Sequence, residues 1–193
     1  MQVFFLILSN ILVACSYLIY TYSIVKGTVR PHRTTRLVIF TIVLVAFFSL
    51  LAQKSTITIW LMGMSLLGCL IILLLSIKRG MGGWAKLDIV SLMIAGIGIC
   101  LWQVTRNPIL ALYFSILADF SGSVPTLIKA YRYPQTESPI FFFISGLSSG
   151  SNLLAHDTWK FAEIVYPLYL VVMSISLLTI IHLGKKQVNN KNT

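Results

Sequence analysis

Asp119 is the only acidic residue inside a long apolar stretch, 12 positions after Asn107 in a segment of 22 that ends at Ile128. Near the centre of a bilayer an ionised aspartate costs about 2.5–3.5 kcal/mol even on a lenient insertion scale. Such a residue is expected to face a partner or a wet cavity, or to hold a proton, and its chemistry is then solute binding or proton coupling. The competing reading is a neutral aspartic acid that hydrogen-bonds a neighbouring helix as structural glue. Ser115, Asp119, Ser123 and Thr126 follow at spacings of 4, 4 and 3, which puts them on one helical face. Pro125 lies in the same segment and has no N–H for the carbonyl of Ser121. It is the candidate hinge, unless Ser121 and Ser123 simply satisfy the freed backbone.

A second polar face comes from Ser145, Ser148, Ser149 and Asn152, interleaved with Gly146 and Gly150. Small residues four apart let another backbone approach, so packing explains most of this face. Asn152 differs, because its amide needs partners wherever it lies. Asn10 and Ser16 add polar groups to the first apolar segment. Trp60, Trp102 and Trp159 fall near segment ends, where the indole ring prefers the membrane interface. Trp102, beside Gln103, is the best placed of them to offer a ligand platform. Tyr166 and Tyr169 either close a vestibule above Asp119 or anchor the last helix. The candidate substrate-binding or coupling set is therefore Asp119, Asn10, Ser16, Trp102, Asn152, Ser145 and Tyr166, with Pro125 as hinge.

Other chemistries lack their residues. Cys15, Cys69 and Cys100 stand one to a segment without metal or redox spacing. His32, His156 and His182 are dispersed, and no nucleophile–base or zinc-protease pattern occurs. Gly80, Gly82 and Gly83 with Lys78 and Arg79 lack the preceding strand and the Gly-Lys-Ser/Thr ending of a phosphate cradle. A basic loop beside anionic lipid is the better reading. Glu137 is expected to cap the following helix or to pair with Arg33 or Arg132. No metal, cofactor or enzymatic activity is expected.

The elements that must position these residues follow from composition. The chain is 193 residues long, 57% apolar and 10% charged, against roughly 25% charged in a soluble domain. Cutting at the charged residues leaves seven apolar segments: Val3 to Val25, Leu37 to Gln53, Ser55 to Ile77, Ile89 to Thr105, Asn107 to Ile128, Ser138 to His156 and Ile164 to Gly184. All seven fall within the range of about 17 to 25 residues that crosses the hydrocarbon. The prediction is an all-α, polytopic membrane protein with seven transmembrane helices. The net charge of +10 would otherwise suggest nucleic acid, but its distribution gives a simpler account. Alternate loops hold 12 of the 15 basic residues, and the others hold only Lys54, Arg106 and Lys160. Cytoplasmic loops retain Lys and Arg, so the N-terminus is expected outside and the C-terminus in the cytoplasm of a cell-membrane protein.

Sliding the chain against itself by 103 residues superposes the first three segments on the last three. Lys26 meets Lys129, Pro31 meets Pro134, Phe40 meets Phe143, and Leu50-Leu51-Ala52-Gln53 meets Leu153-Leu154-Ala155-His156. Ser16 falls opposite Asp119. Two three-helix units in tandem would point in opposite directions, and one extra helix between them makes them parallel. The fourth segment has no counterpart and supplies that helix. The expected layout is 3+1+3: residues 1–80 form the first three-helix repeat, 81–106 a loop and linker helix, and 107–193 the second repeat with a short cytoplasmic tail. Parallel repeats of this kind are a known transporter plan, with the site near midplane between them.

In topology this layout resembles the SWEET, PQ-loop and PnuC-type superfamily of small-solute carriers, and the run Lys129 to Pro134 followed by Glu137-Ser138 is similar to that of a set of bacterial seven-helix membrane proteins. The family's Pro-Gln pair has Pro125-Thr126 at its place in the second repeat and Tyr22 at the equivalent place in the first; the literal Pro134-Gln135 lies in the turn after the span. The Asn typical of the sugar carriers on the third helix of each repeat is absent from Ser55 to Ile77 and from Ile164 to Gly184. The resemblance implies alternating access, with proton coupling as in some PQ-loop carriers. The expected function is transport of a small polar solute, the lipid bilayer being the other partner, with self-association open and no nucleic acid. The alternative is a non-transporting membrane protein that binds lipid or a partner membrane protein through the serine and glycine face of the sixth segment.

Overall fold

The computed structural model describes residues 1–31, 33–80, 86–157 and 160–192, so that His32, Gly82, Gly83 and Trp159 lie outside the described residues. Its elements are α1 (Gln2–Val25), α2 (Arg33–Ala52), α3 (Thr58–Arg79), α4 (Lys86–Thr105), α5 (Pro108–Arg132), a 3-10 turn at Pro134–Thr136, α6 (Pro139–Leu154) and α7 (Phe161–Asn192). The helices bury serines and other polar residues among apolar ones. In α1 the buried face is Ser9, Val13, Ser16, Tyr20 and Ile24, while Phe4, Ile7, Ile11 and Leu18 are exposed. A bilayer already hosts apolar side chains, so close backbone approach and polar contacts hold such helices together.

Local sequence sets the helix ends. After α1, Gly27 takes φ 78 and its N–H bonds the carbonyl of Ile24 at 3.1 Å. At the end of α2, Lys54 adopts φ 55, and Ser55 N–H returns to the Leu50 carbonyl at 3.0 Å, a Schellman-type stop. Asn107 caps α5 by accepting from Ile109 N–H at 3.0 Å, with Pro108 as the first helical residue. Ser138 caps α6 by accepting from Phe141 N–H at 3.4 Å.

Among the described residues six helices are long and apolar enough to cross a membrane: α1, α2, α3, α4, α5 and α7. The sixth segment departs from expectation. Pro139 fixes the start of α6 and the chain turns at Ala155, leaving 16 residues, about 24 Å at 1.5 Å per residue against about 30 Å of hydrocarbon. Beyond the last apolar segment, α7 continues as helix through Lys185 and Lys186 to Asn192.

Helix α3 packs on both α1 and α2, and α7 packs on both α5 and α6. Across the middle, α1 packs on α6 and α2 on α5, while α4 lies against α5 and α2. At one end of the bundle, called here the basic end, Arg33 Nε donates to the Gly80 carbonyl at 3.1 Å, and Arg79 donates to the carbonyl of Val25. Buried Asp88 of α4 accepts there from Thr34 and Thr35 hydroxyls at 3.1 and 2.9 Å. At the far end, Ser49 of α2 donates to the Pro108 carbonyl at the start of α5.

Candidate functional site

A cavity of about 170 Å³ lies inside the bundle. Val13 and Tyr17 come to it from α1, Arg36, Ile39 and Val43 from α2, and Leu61, Met62, Ser65 and Cys69 from α3. Asp119, Ser123 and Thr126 come from α5, Ser145 and Ser149 among others from α6, and Tyr166 and Ser174 among others from α7. Among the described residues α4 contributes none.

The cavity wall combines a guanidinium and a carboxyl group with a set of hydroxyls. Asp119 accepts a hydrogen bond from the Tyr169 hydroxyl at 2.6 Å. Arg36 donates to the hydroxyl of Tyr20 and lies over its ring, 4.9 Å from the centroid, and Glu137, buried in the turn before α6, adds its charge to the field at Arg36. The Tyr20 ring packs in turn against Phe141 of α6 at 4.7 Å. On the facing wall Tyr17 hydroxyl and Cys69 Sγ are 3.3 Å apart. Gly68 makes room for that contact, since a Cβ there would overlap the Tyr17 ring.

The sequence-predicted residues divide between several places. Asp119, Ser145 and Tyr166 share the cavity. Asn10 lies in a separate surface groove with Trp60 and Met64, where its Nδ2 bonds the Leu6 carbonyl at 2.8 Å. Ser16 is fully buried and bonds back to the Val13 carbonyl at 2.8 Å. Ser115 likewise returns to the Ala111 carbonyl at 2.7 Å. Trp102 is half-buried on α4, away from the cavity lining. Pro125 falls within α5, which runs through it as one helix. Glu137 leaves the capping of α6 to Ser138.

Asn152 belongs to a polar cluster at the far end. Thr58, the first residue of α3, stands 3.3 Å from Asn152 Oδ1, 3.0 Å from His156 Nε2 and 3.0 Å from the Glu163 carbonyl. His156 Nδ1 lies 3.4 Å from the Glu163 carboxylate. This cluster joins α3 to α6 and α7. Burial pushes the His156 imidazole below its ordinary value, and Glu163 opposes that shift in part.

Arg36, Thr58 and Pro167 were not among the expected site residues. Arg36 was read as a boundary between apolar segments, yet it is the fourth residue of α2 and reaches the cavity. Its tyrosine neighbour Tyr20, one helix away, carried no signal in the sequence. Pro167 inside α7 was visible as a proline in an apolar run.

The cavity-facing positions of α1 and α2 recur in α5 and α6 at a separation of 106 residues: Val13 with Asp119, Tyr17 with Ser123, Arg36 with Phe142, Ile39 with Ser145 and Val43 with Ser149. The 103-residue register that pairs Ser16 with Asp119 differs by three residues, about 60° short of a full helical turn. The cavity faces thus come out of phase in the ungapped alignment. Among the described residues no group of three His, Cys, Asp or Glu side chains is placed to hold a metal ion. No protein-family model, curated protein or solved structure matches this chain.

Proposed function

We propose that this protein is a small-solute carrier in which two parallel three-helix units, α1–α3 and α5–α7, rock about the central cavity while α4 links them. The observation that carries the reading is the cavity itself: among the described residues six helices line it, the linker does not, and charged and hydroxyl groups face it inside an apolar bundle. Ionisable groups at such depth mark substrate or proton pathways more often than packing contacts. The reciprocal packing of α1 on α6 and α5 on α2, with α3 and α7 each between the other two helices of its unit, supports the two-unit plan. The topological resemblance to the SWEET, PQ-loop and PnuC-type carriers belongs to the same reading.

In this proposal the basic end faces the cytoplasm of a cell membrane, the N-terminus lies outside, and gain or loss of a proton at Asp119 couples transport to the proton gradient. The serine and glycine face of α6, which would otherwise suit a partner helix, is largely used within the bundle. Ser148 donates to the Ser9 carbonyl at 2.7 Å, and a Cβ on Gly146 would stand 3.0 Å from Ser174.

A thermal-shift screen of purified protein against sugars, amino acids, nucleosides and vitamins, followed by uptake of each stabilising solute into proteoliposomes, tests the reading. Uptake that responds to a pH gradient and loses that response in Asp119→Asn is expected. Stabilising solutes that never cross would contradict the carrier, and an unchanged gradient response in Asp119→Asn would remove the proton mechanism.

A further inference from the structure

We propose that the cavity binds a small zwitterion, its carboxylate on Arg36 and its ammonium on Asp119. The inference rests on the carrier reading only in treating the cavity as a solute site.

Both groups line the same cavity, one from each proposed unit. Their Cα atoms also lie at nearly one depth. Ser49 and Pro108 are level, because the Ser49 hydroxyl reaches the Pro108 carbonyl. Arg36 is 13 residues from Ser49 towards the basic end, and Asp119 is 11 from Pro108 in the same direction. At 1.5 Å per residue these are about 20 and about 17 Å, so the two Cα atoms differ by about 3 Å along the axis. Val38 and Ile42 of α2 share a buried cluster with Ala118 of α5 and Ala95 of α4 near the same level.

Each group keeps capacity for a ligand. Tyr20 takes one of the five N–H donors of Arg36 and, being a neutral phenol, leaves the charge in place. Glu137 contributes opposing charge from the turn before α6. Tyr169 occupies one oxygen of Asp119, and a carboxylate accepts several donors. Ser123 and Ser145 line the same cavity, and Ser149, whose O–H donates to the Ser145 carbonyl at 3.1 Å, keeps its oxygen as an acceptor.

Size and charge then restrict the occupant. A cavity of about 170 Å³ takes a small solute. A monoanion or monocation answers one group and desolvates the other, and a neutral polyol desolvates both without a counter-charge. A zwitterion answers both, and it ties the two units together while bound.

The test is calorimetric titration of the purified full chain with three-carbon probes: L-alanine and β-alanine as zwitterions, propionate as anion, propylamine as cation and glycerol as neutral. At least one zwitterion is expected to bind about tenfold or more tighter than each of the other three. In Asp119→Asn its advantage over propionate should vanish, and Arg36→Lys, which keeps charge but loses the guanidinium fork, should weaken it several-fold. Because the comparison among probes is made on the unsubstituted protein, it holds whether or not a variant folds. Propylamine matching the zwitterions would mean that Glu137 already neutralises Arg36, and would overturn the proposal, as would glycerol or propionate matching them or neither zwitterion binding. Zwitterion binding without uptake into proteoliposomes would contradict the carrier reading and support the site. Uptake of a neutral solute with no zwitterion binding would do the reverse.

Discussion

The hydroxyl of Thr58 lies 3.0 Å from the carbonyl oxygen of Glu163, the acceptor that Pro167, four residues further along α7, has no N–H to satisfy. A side chain from the first turn of α3 therefore replaces a missing backbone bond in α7. Thr58 has a single O–H to share between this oxygen and Asn152 Oδ1, and also His156 Nε2 in the tautomer where that nitrogen carries no proton. Thr58→Val keeps the shape and removes the donor, so it should destabilise the protein by about 1–3 kcal/mol, with Thr58→Ser close to the parent. Unfolding in a detergent titration checks this, and a valine variant as stable as the parent would contradict it.

His156 belongs to the same cluster and gives it a pH dependence. Burial holds its imidazole below the ordinary 6.5, with Glu163 partly opposing. As pH falls, the unfolded chain takes up this proton before the folded one does, so stability is complete above about pH 6.5 and declines as pH drops towards the lower folded value. Melting temperature between about pH 5 and pH 8 should show that decline, and His156→Gln should flatten it. A parent profile already flat over that range would exclude the mechanism.

Gly68 provides the space in which the Tyr17 ring reaches Cys69. Gly68→Ala should push the ring away and cost about 1–3 kcal/mol through overpacking. At Gly63 an added Cβ would meet only Phe47 at 3.5 Å, an ordinary contact. Gly63→Ala is therefore the matched control, and equal melting temperatures for the two variants would refute the steric account.

Tyr169→Phe reports on the proton at Asp119. A hydrogen bond to an ionised carboxylate is worth about 1.5–3 kcal/mol and one to a neutral group about 0.5–1.5. If Asp119 exchanges a proton during the cycle, the stability cost of Tyr169→Phe should grow as pH rises. A cost that stays constant with pH would oppose proton coupling at this site.

Much of the architecture can be read from composition, because length and hydropathy alone mark six of the spans. The shortness of α6 is set by local chemistry, the proline at 139 and the turn at Ala155, which a count of apolar residues does not register. Asp119 was legible since an acid inside an apolar run is rare and costly. Arg36 was hidden because a basic residue near a segment end reads as a membrane boundary, and only the folded bundle brings Tyr20 of α1 to it. Asn10 and Ser16 were legible as polar, but their surroundings were not: Asn10 Nδ2 and Ser16 Oγ each bond a carbonyl of their own helix, and Asn10 Oδ1 is buried without a protein partner. Polarity in a span says that a partner is needed; the bundle decides whether that partner is a neighbouring backbone or a cavity.

The central claim is that the cavity opens in turn to both faces of the membrane, and Cys69 is a native reporter of it. Cys69 lines the cavity and is free, as are Cys15 and Cys100 on exposed positions. In a Cys15→Ser, Cys100→Ser background reconstituted in one orientation, a membrane-impermeant thiol reagent should label Cys69 from either face, added separately. Labelling from one face only, or from neither, would contradict alternating access around this cavity.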